Sequence, residues 1–215
     1  MAQHVDKRET FLLVGEKLFS RYGYRDVSIE DITQAAGMGT GSFYNYYKSK
    51  EALYSGIIDL IEKRGIEKTD RILSRLQSPV NKLKVIARLT TLGIRKNPIL
   101  RGVLTNDKKY IYPGLESRLA NKDSLARHLE KAIGTVIREG SRKRVFRSGL
   151  YRNPQAMVLA LYNAILLNLD SEHVEELIED LLLLVERGLK RRIRLRRKDE
   201  RRDRRKRYLD MMKEI

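Results

Sequence analysis

The apolar residues of the chain recur every three or four positions, which is the spacing of one face of an α-helix. The first such run covers residues 5–22, and Gly23 follows it as a residue suited to end a helix. Ser28 and Asp31 then have the spacing of a capping box, in which two side chains close the first turn of a helix. The pattern therefore predicts a long helix over 5–22 and a short one from Ser28 to about Ala36.

A second short helix is predicted over 39–46, and a longer helix from about Ser49. Ile32 and Ala35 are expected to face inward from the first short helix, and Phe43 to fill the angle between the two short helices. Two short helices that cross in this way form a helix-turn-helix. The second of them is slim enough to enter the major groove of DNA.

Prolines divide the rest of the chain. Three pairs of a capping residue and a proline mark predicted helix starts, namely Ser78-Pro79, Asn97-Pro98 and Asn153-Pro154. A further helix is expected to begin near Pro113 or Asp123 and to end at Gly140. Ser171 is expected to cap the last helix.

Composition agrees with an all-α protein whose core is of ordinary size. Apolar residues make up 41% of the 215 residues, and the chain has four prolines and no cysteine. Without cysteine there is neither a disulfide framework nor a thiolate metal site. The three histidines are scattered, and the sequence has neither a glycine-rich phosphate loop nor a nucleophile elbow. We therefore expect no enzyme activity, no metal and no cofactor.

The apolar stretches are short. The N-terminus has no apolar signal segment, and the longest apolar stretch, 157–169, is interrupted by two asparagines. A membrane span needs about 20 residues. We therefore expect a cytoplasmic protein without a membrane partner.

The charge of the chain is concentrated at its C-terminal end. The formal net charge is +17, but residues 1–54 carry seven basic and seven acidic residues. Residues 187–207 carry fourteen basic and three acidic residues, a net of +11. The excess indicates a polyanionic partner, but it does not identify the N-terminal part as a DNA-binding domain.

A longer sequence pattern lies in the N-terminal part of the chain. It consists of Ile32, Ala35-Ala36-Gly37-Met38, Gly41-Ser42-Phe43-Tyr44, Tyr46-Tyr47, Ser49-Lys50-Glu51 and Leu53. This segment strongly resembles the DNA-binding domain of the TetR family, with a close match over about residues 8–60. The resemblance implies an all-α, dimeric regulator with an N-terminal three-helix helix-turn-helix domain (1–50) and a larger helical effector-binding and dimerisation domain (51–190). Residues 191–215 would form a basic extension.

The resemblance also implies which residues contact double-stranded operator DNA, namely Ser28, Thr40, Gly41, Ser42, Tyr44, Asn45, Tyr46, Lys48 and Lys50. Tyr44 and Lys50 would hold phosphates, Asn45 would bind adenine, and Thr40 would touch a thymine methyl group. Gly39-Thr40 stands where the family often has Ser-Lys, so a cation is missing from this face. Two alternatives stay open: Ser28 as a helix cap alone, and Lys48 as an ordinary solvated lysine. Tyr47 is expected in the core.

A homodimer and a small-molecule effector follow from the same resemblance. Candidate dimer residues are Leu159, Ile165, Leu166 and Leu181, on the helices near 154–169 and 172–189. Candidate effector residues are Leu89, Leu92, Leu104, Tyr110 and Tyr162, for which plain core packing is the alternative. We expect an apolar or lipid-like effector; the nearby cations Arg95, Arg101, Lys108 and Lys109 would suit an anionic group.

Three questions of function stay open at this stage. A repressor and an activator of this family differ in where the operator lies, which the sequence does not encode. A nonspecific nucleic-acid binder driven by the basic segment is the rival interpretation. That segment either extends the last helix or is disordered, because a run of like charges repels itself.

Overall fold

A computed structural model of the chain describes residues 6–115, 117, 125–147, 152–168 and 171–190, with the backbone alone at 126, 162 and 166. These ranges contain α1 (Lys7–Tyr22), α2 (Ile29–Ala35), α3 (Thr40–Tyr44), α4 (Lys50–Leu73), α5 (Pro79–Lys96), α6 (Pro98–Leu104), α7 (Leu125–Arg142), α8 (Pro154–Leu166) and α9 (Val174–Leu189). No β-strand occurs in the described ranges, where one isolated antiparallel bridge joins Phe146 to Lys190. The predicted all-α fold is confirmed.

Local capping explains where the N-terminal helices begin and end. Asp6 caps α1 and Ser49 caps α4, each through a side-chain oxygen that accepts a backbone N–H of the first turn. Gly23, with φ of 86°, ends α1, and Gly37, with φ of 65°, makes the turn between α2 and α3. The helix boundaries predicted for this part of the chain are therefore confirmed to within a few residues.

Helices α1 to α4, which we call the N-terminal domain, share one hydrophobic core with α6. Its fully buried side chains include Phe11, Phe19, Ile32, Phe43, Leu53, Tyr54, Ile57 and Ile99. Helix α1 lies close to α4 because Gly15 has no side chain; a Cβ there would lie 2.8 Å from Cδ1 of Ile57. This core extends past residue 50, along α4 as far as Ile61.

The inward face of α2 differs from the predicted one. Ile32 is buried as expected, but Ala35 is exposed, so the prediction that Ala35 faces inward is wrong. Thr33 is buried instead, and its hydroxyl donates to the carbonyl oxygen of Glu30 at 3.0 Å. The residues turned inward are 29, 32, 33 and 36, and this spacing of three, one and three keeps them on one face of a helix. Ala35 lies off that face.

The three helix starts predicted from a capping residue and a proline are confirmed. Ser78, Asn97 and Asn153 each accept a hydrogen bond from the backbone N–H three residues on, at 3.3, 2.9 and 3.0 Å. A proline follows each of them at the first helical position, where its missing N–H costs nothing. Of the two starts expected for α7, Pro113 lies in a turn just before the helical residues Leu115 and Ser117, and Asp123 lies outside the described residues.

Two other helix boundaries are corrected. Helix α7 does not stop at Gly140 but runs on to Arg142. Gly140 instead makes room for the ring of Phe146, because a Cβ there would lie 2.1 Å from the ring. Ser171 does not cap α9, which begins at Val174; its side chain accepts the N–H of His173 in the turn before the helix.

A second hydrophobic core lies between α5, α7, α8 and α9. Its buried side chains include Val80, Leu83, Ile86, Leu129, Ile133, Val158, Ile165, Ile178 and Leu182. Outside this core, α5 and α9 run antiparallel and are joined by three ion pairs, Lys84–Glu186 at 2.5 Å, Arg88–Glu179 at 2.5 Å and Arg95–Glu175 at 3.2 Å. None of the described helices is both long enough and apolar enough to cross a membrane.

The last helix ends within the basic segment 187–207. Helix α9 ends at Leu189, whose carbonyl oxygen accepts the N–H of Arg147 at 2.8 Å. Lys190 has an extended backbone, with ψ of 130°. Residues 191–215, the predicted basic extension, lie outside the described residues.

Candidate nucleic-acid interface

Helix α3 is held to the N-terminal domain by its inner side. Phe43 is fully buried, and its ring meets the ring of Phe11 edge-on at 5.5 Å. Tyr47, just beyond the helix, is buried as predicted, and its hydroxyl donates to the carbonyl oxygen of Arg8 at 3.3 Å. Both aromatic residues attach the inner side of α3 to the core and leave its outer side exposed.

Most of the predicted DNA contacts lie on that outer side. Six of them are exposed, namely Thr40, Gly41, Tyr44, Asn45, Tyr46 and Lys48. Tyr44 exposes 55% and Tyr46 42% of its surface. Ser42 is half-buried, and its hydroxyl lies 3.9 Å from the sulfur of Met38. The structure thus brings these residues together on one surface.

Ser28 lies at the start of α2, and its hydroxyl is engaged within the chain. It donates to the carboxylate of Asp31 at 2.6 Å and accepts the N–H of Asp31 at 3.0 Å. The backbone N–H of Ser28 also donates to this carboxylate, at 2.7 Å. These hydrogen bonds hold the pKa of Asp31 below its usual value. The geometry favours the alternative in which Ser28 is a helix cap.

Lys50 is also engaged within the chain. Its Nζ donates to the carbonyl oxygens of Tyr24 at 3.0 Å and of Val27 at 2.9 Å, and it lies 4.3 Å from the centre of the Tyr24 ring. The side chain is half-buried. Two of its three donors therefore fix the loop before α2, and one remains for a phosphate. Sequence reasoning missed this role because the partners lie 23 and 26 residues earlier.

The ring of Tyr24, which Lys50 contacts, packs against a second buried tyrosine. The hydroxyl of Tyr24 donates to the carboxylate of Glu51, and the Tyr24 ring lies 5.0 Å from the ring of Tyr54. Burial, followed by the hydrogen bond with Glu51, raises the pKa of Tyr24, and the same hydrogen bond lowers the pKa of Glu51. At neutral pH the hydroxyl of Tyr24 is therefore protonated and the carboxyl of Glu51 is ionised.

The segment after α6 docks on the N-terminal domain. The N–H of Tyr24 donates to the carbonyl oxygen of Lys109 at 2.8 Å. The hydroxyl of Tyr54 donates to the carbonyl oxygen of Tyr110 at 2.7 Å. The hydroxyl of Tyr110 in turn donates to the carbonyl oxygen of Ser20 at 3.3 Å. These hydrogen bonds tie the segment after α6 to α1, to α4 and to the residue that follows Gly23.

The described side chains among the predicted effector residues lie in different surroundings. Tyr110 belongs to the core of the N-terminal domain, and Leu104 is 52% exposed. Leu89 and Leu92 are half-buried, and the side chain of Tyr162 lies outside the described residues. Of the nearby cations, Arg95 pairs with Glu175. Helix α6 packs against the N-terminal domain, and the segment after it brings Tyr110 into the core of that domain.

The predicted dimer residues are mostly part of the chain's own core. Ile165 is buried, Leu159 and Leu181 are half-buried against the second core, and the side chain of Leu166 lies outside the described residues. Other leucines are exposed, namely Leu167 just after α8, and Leu183 and Leu184 on α9. Periodicity placed apolar residues on α8 and α9 but did not separate their inner from their outer faces, because α9 carries leucine on both faces and the exposed face of α8 carries alanine.

Comparisons with known proteins agree with this geometry. The family model described as bacterial regulatory proteins, tetR family, matches residues 11–57, which run from within α1 into α4. The nucleoid occlusion factor SlmA of Photobacterium profundum is 24% identical over 146 residues, which are 67% of this chain and 71% of that protein.

Solved structures share the fold over most of this chain. FadR from Bacillus subtilis, a transcriptional regulator solved in complex with stearoyl-CoA, has a TM-score of 0.65 and 16% identity, covering 84% of this chain and 98% of that one. A transcriptional regulator of the TetR/AcrR family from Thermobifida fusca has a TM-score of 0.64 and 20% identity, covering 86% and 100%. At these identities the likeness concerns the fold.

Proposed function

This chain belongs to the TetR family of bacterial DNA-binding transcriptional regulators, and from this premise we propose that it is a repressor which a small molecule releases from a palindromic operator. The observation that carries the proposal is the exposed outer side of α3. Tyr44 and Asn45 point away from the core while Phe43 fixes the helix from below. A helix presented in this way fits the major groove.

We assign the contacts with DNA to two groups. Asn45 reads an adenine with a bidentate pair of hydrogen bonds, and the methyl group of Thr40 touches a thymine methyl group. Tyr44 and Lys48 hold phosphates, which position the domain without reading sequence. Lys50 adds at most one phosphate bond, because its other donors are engaged with carbonyl oxygens.

A homodimer accounts for the exposed faces of α8 and α9. The exposed residues of α8 and its end, Ala156, Ala160, Asn163 and Leu167, follow one another at intervals of four, three and four. This spacing forms a stripe along one side of a helix, and Leu183 and Leu184 are exposed on α9. Two copies that pair through these faces form a four-helix bundle. The two-fold symmetry of the pair predicts a palindromic operator.

Release requires an effector that binds the two states of the dimer with different affinities. FadR, one of the proteins with the same fold, was solved with stearoyl-CoA, and we infer a small molecule with a large apolar part here as well. Its site lies in the helices after α4, and the docked segment with Lys109 and Tyr110 carries the change to the N-terminal domain.

Selection of bound sequences from random DNA, with the full chain, tests this proposal. We expect one palindromic sequence to be enriched, and Asn45→Ala to lose preference at one symmetric pair of positions. An enriched site that lies over a promoter supports a repressor, whereas a site upstream of it supports an activator. If no sequence is enriched over unrelated DNA, the protein is a nonspecific nucleic-acid binder and the proposal fails.

A second candidate function comes from the relative named a nucleoid occlusion factor, since that similarity extends over 67% of this chain. A protein with that role would occupy many chromosomal sites and would regulate no single gene. Mapping the occupied sites across the genome separates the two candidates. A few sites at promoters support the repressor, and many sites away from promoters support nucleoid occlusion.

A further inference from the structure

The second core contains a small apolar cavity of about 30 Å³, between α5, α7, α8 and α9. Hydrocarbon side chains line it, among them Leu83, Ala87, Ile133, Val158, Ile165 and Leu182. A smaller void of about 10 Å³ adjoins it and shares Leu83, Leu182 and Val185 with it. The first cavity has the volume that about one water molecule occupies. The core is therefore incompletely packed along this line.

A buried hydroxyl lies one helical turn beyond the cavity. Thr91 is fully buried, and its Oγ1 has no hydrogen-bond partner among the residues that the structure describes. Ala87, which lines the cavity, precedes Thr91 by four residues, so the two lie on the same face of α5. Neighbouring Thr90 differs, because its hydroxyl donates to the carbonyl oxygen of Ile86. A buried polar group without a partner is destabilising and uncommon.

Thr91 also lies between the two hydrophobic cores. On α5, Ile86 and Ala87 belong to the second core, and Ile94 belongs to the core of the N-terminal domain. A molecule that fills the cavity and reaches Thr91 would therefore contact the side chains that connect the two cores. Its binding would change how α5 packs against both.

We propose that the effector is a neutral molecule with an apolar body and one hydroxyl or carbonyl group. Its body widens the cavity between α5, α7, α8 and α9, and its polar group pairs with Thr91 Oγ1. A charged group does not suit this site, because the lining side chains are hydrocarbon and would leave the charge unpaired. This inference rests on the proposed function and narrows the class of its effector.

Phenol and benzene are suitable probes, because they differ by one hydroxyl. Binding to the full chain without DNA is followed by NMR of the leucine, isoleucine and valine methyl groups. We expect both probes to saturate and to shift the methyl groups of Leu83, Ile133 and Val158. Thr91→Val removes the hydroxyl at nearly constant shape. It should weaken phenol about three- to tenfold, the worth of one net hydrogen bond, and leave the affinity for benzene unchanged.

Thr91→Ser is the matched control, since it keeps the hydroxyl and should bind phenol as the wild type does. Thr91→Val should melt at the same temperature as the wild type or higher, which establishes that it folds. Equal phenol affinity in the wild type and Thr91→Val overturns the inference, and so does a failure of either probe to saturate at this site. Operator affinity without a probe is measured separately. If it is normal, only this inference fails; if no preferred sequence is bound, the proposed function fails.

Discussion

The ammonium group of Lys50 lies 2.9 Å from the carbonyl oxygen of Val27, and this contact joins the start of α4 to the loop that leads into α2. A second hydrogen bond to Tyr24 and the contact with the Tyr24 ring complete the junction. The family resemblance assigns this lysine to a phosphate. The structure gives it a second role, which is to hold the helix-turn-helix on the rest of the N-terminal domain.

Lys50→Met should therefore destabilise the protein. The substitution keeps the apolar stem but leaves two carbonyl oxygens without their charged donor. Hydrogen bonds to charged groups contribute about 1.5–3 kcal/mol each, and we expect a loss within that range because water reaches the half-buried site. The free energy of unfolding in urea measures it.

Lys48→Met is the matched control, because Lys48 is exposed on the proposed DNA-binding surface. It should leave the unfolding free energy unchanged, weaken binding to all DNA sequences alike and reduce the slope of affinity against salt by about 1. A Lys50→Met protein as stable as the wild type would remove the structural role from Lys50.

The capping box of α2 should make stability depend on acid pH. The pKa of Asp31 is lowered from 3.8 by its hydrogen bonds with Ser28. A carboxyl whose pKa is lower in the folded state stabilises the fold above its unfolded pKa, and this stability is lost as pH falls through the folded value. Ser28→Ala should lose about 1 kcal/mol at pH 7 and show a smaller further loss below pH 4 than the wild type.

Ser78→Ala is the control for this effect. Ser78 caps α5 without a capping box, so its loss should lower stability at pH 7 and leave the acid dependence as in the wild type. Hydrogen bonds also lower the pKa values of Glu51, Glu139 and Glu186, so only the differences between variants isolate Asp31. Identical acid profiles for the two variants would be inconsistent with this account.

The dimer should depend on exposed leucines of α8 and α9. Leu184 is 57% exposed, and Leu184→Glu would place charges on the proposed interface of both copies. We expect sedimentation to change from dimer to monomer, and palindromic DNA to bind no more tightly than a half-site. Leu104→Glu is the control, because Leu104 is similarly exposed but lies on α6. A dimeric Leu184→Glu protein would exclude this face as the interface.

Local signals predicted much of the fold. The helix starts at residues 79, 98 and 154 were predictable because the cap and the proline are adjacent in sequence. The partners of Lys50 were not predictable, because a lysine side chain gives no sign of which distant carbonyl oxygens it will reach. Ser171 carried the right residue type for a cap, but its hydrogen bond closes a turn and not the helix.

The proposed DNA-binding residues, before residue 60, were more predictable from the sequence than the effector site after it. The exposed row on α3 followed from a long motif in which every position has a defined role. The cavity beside Ala87 had no such signal, because apolar residues at helical spacing look alike whether they pack fully or leave a gap. Only the packing of the four helices decides which apolar residues leave a gap.

Gly41→Ala tests most directly whether α3 enters the duplex. Gly41 lies exposed within α3, and a Cβ there would meet nothing within 4 Å in the described chain. Glycine inside a helix costs about 0.5–1 kcal/mol relative to alanine, so the variant should be more stable. Gly93→Ala is the matched control, since Gly93 lies equally open within α5.

The measurement is the affinity of both variants for the selected operator, beside their urea unfolding. We predict that both variants unfold at a higher urea concentration than the wild type and that Gly93→Ala binds the operator as the wild type does. Gly41→Ala should bind at least about tenfold more weakly, a loss of about 1.4 kcal/mol, because its methyl group occupies the space where the duplex approaches. Unchanged operator affinity of a stabilised Gly41→Ala protein would contradict the assignment of α3 to the major groove.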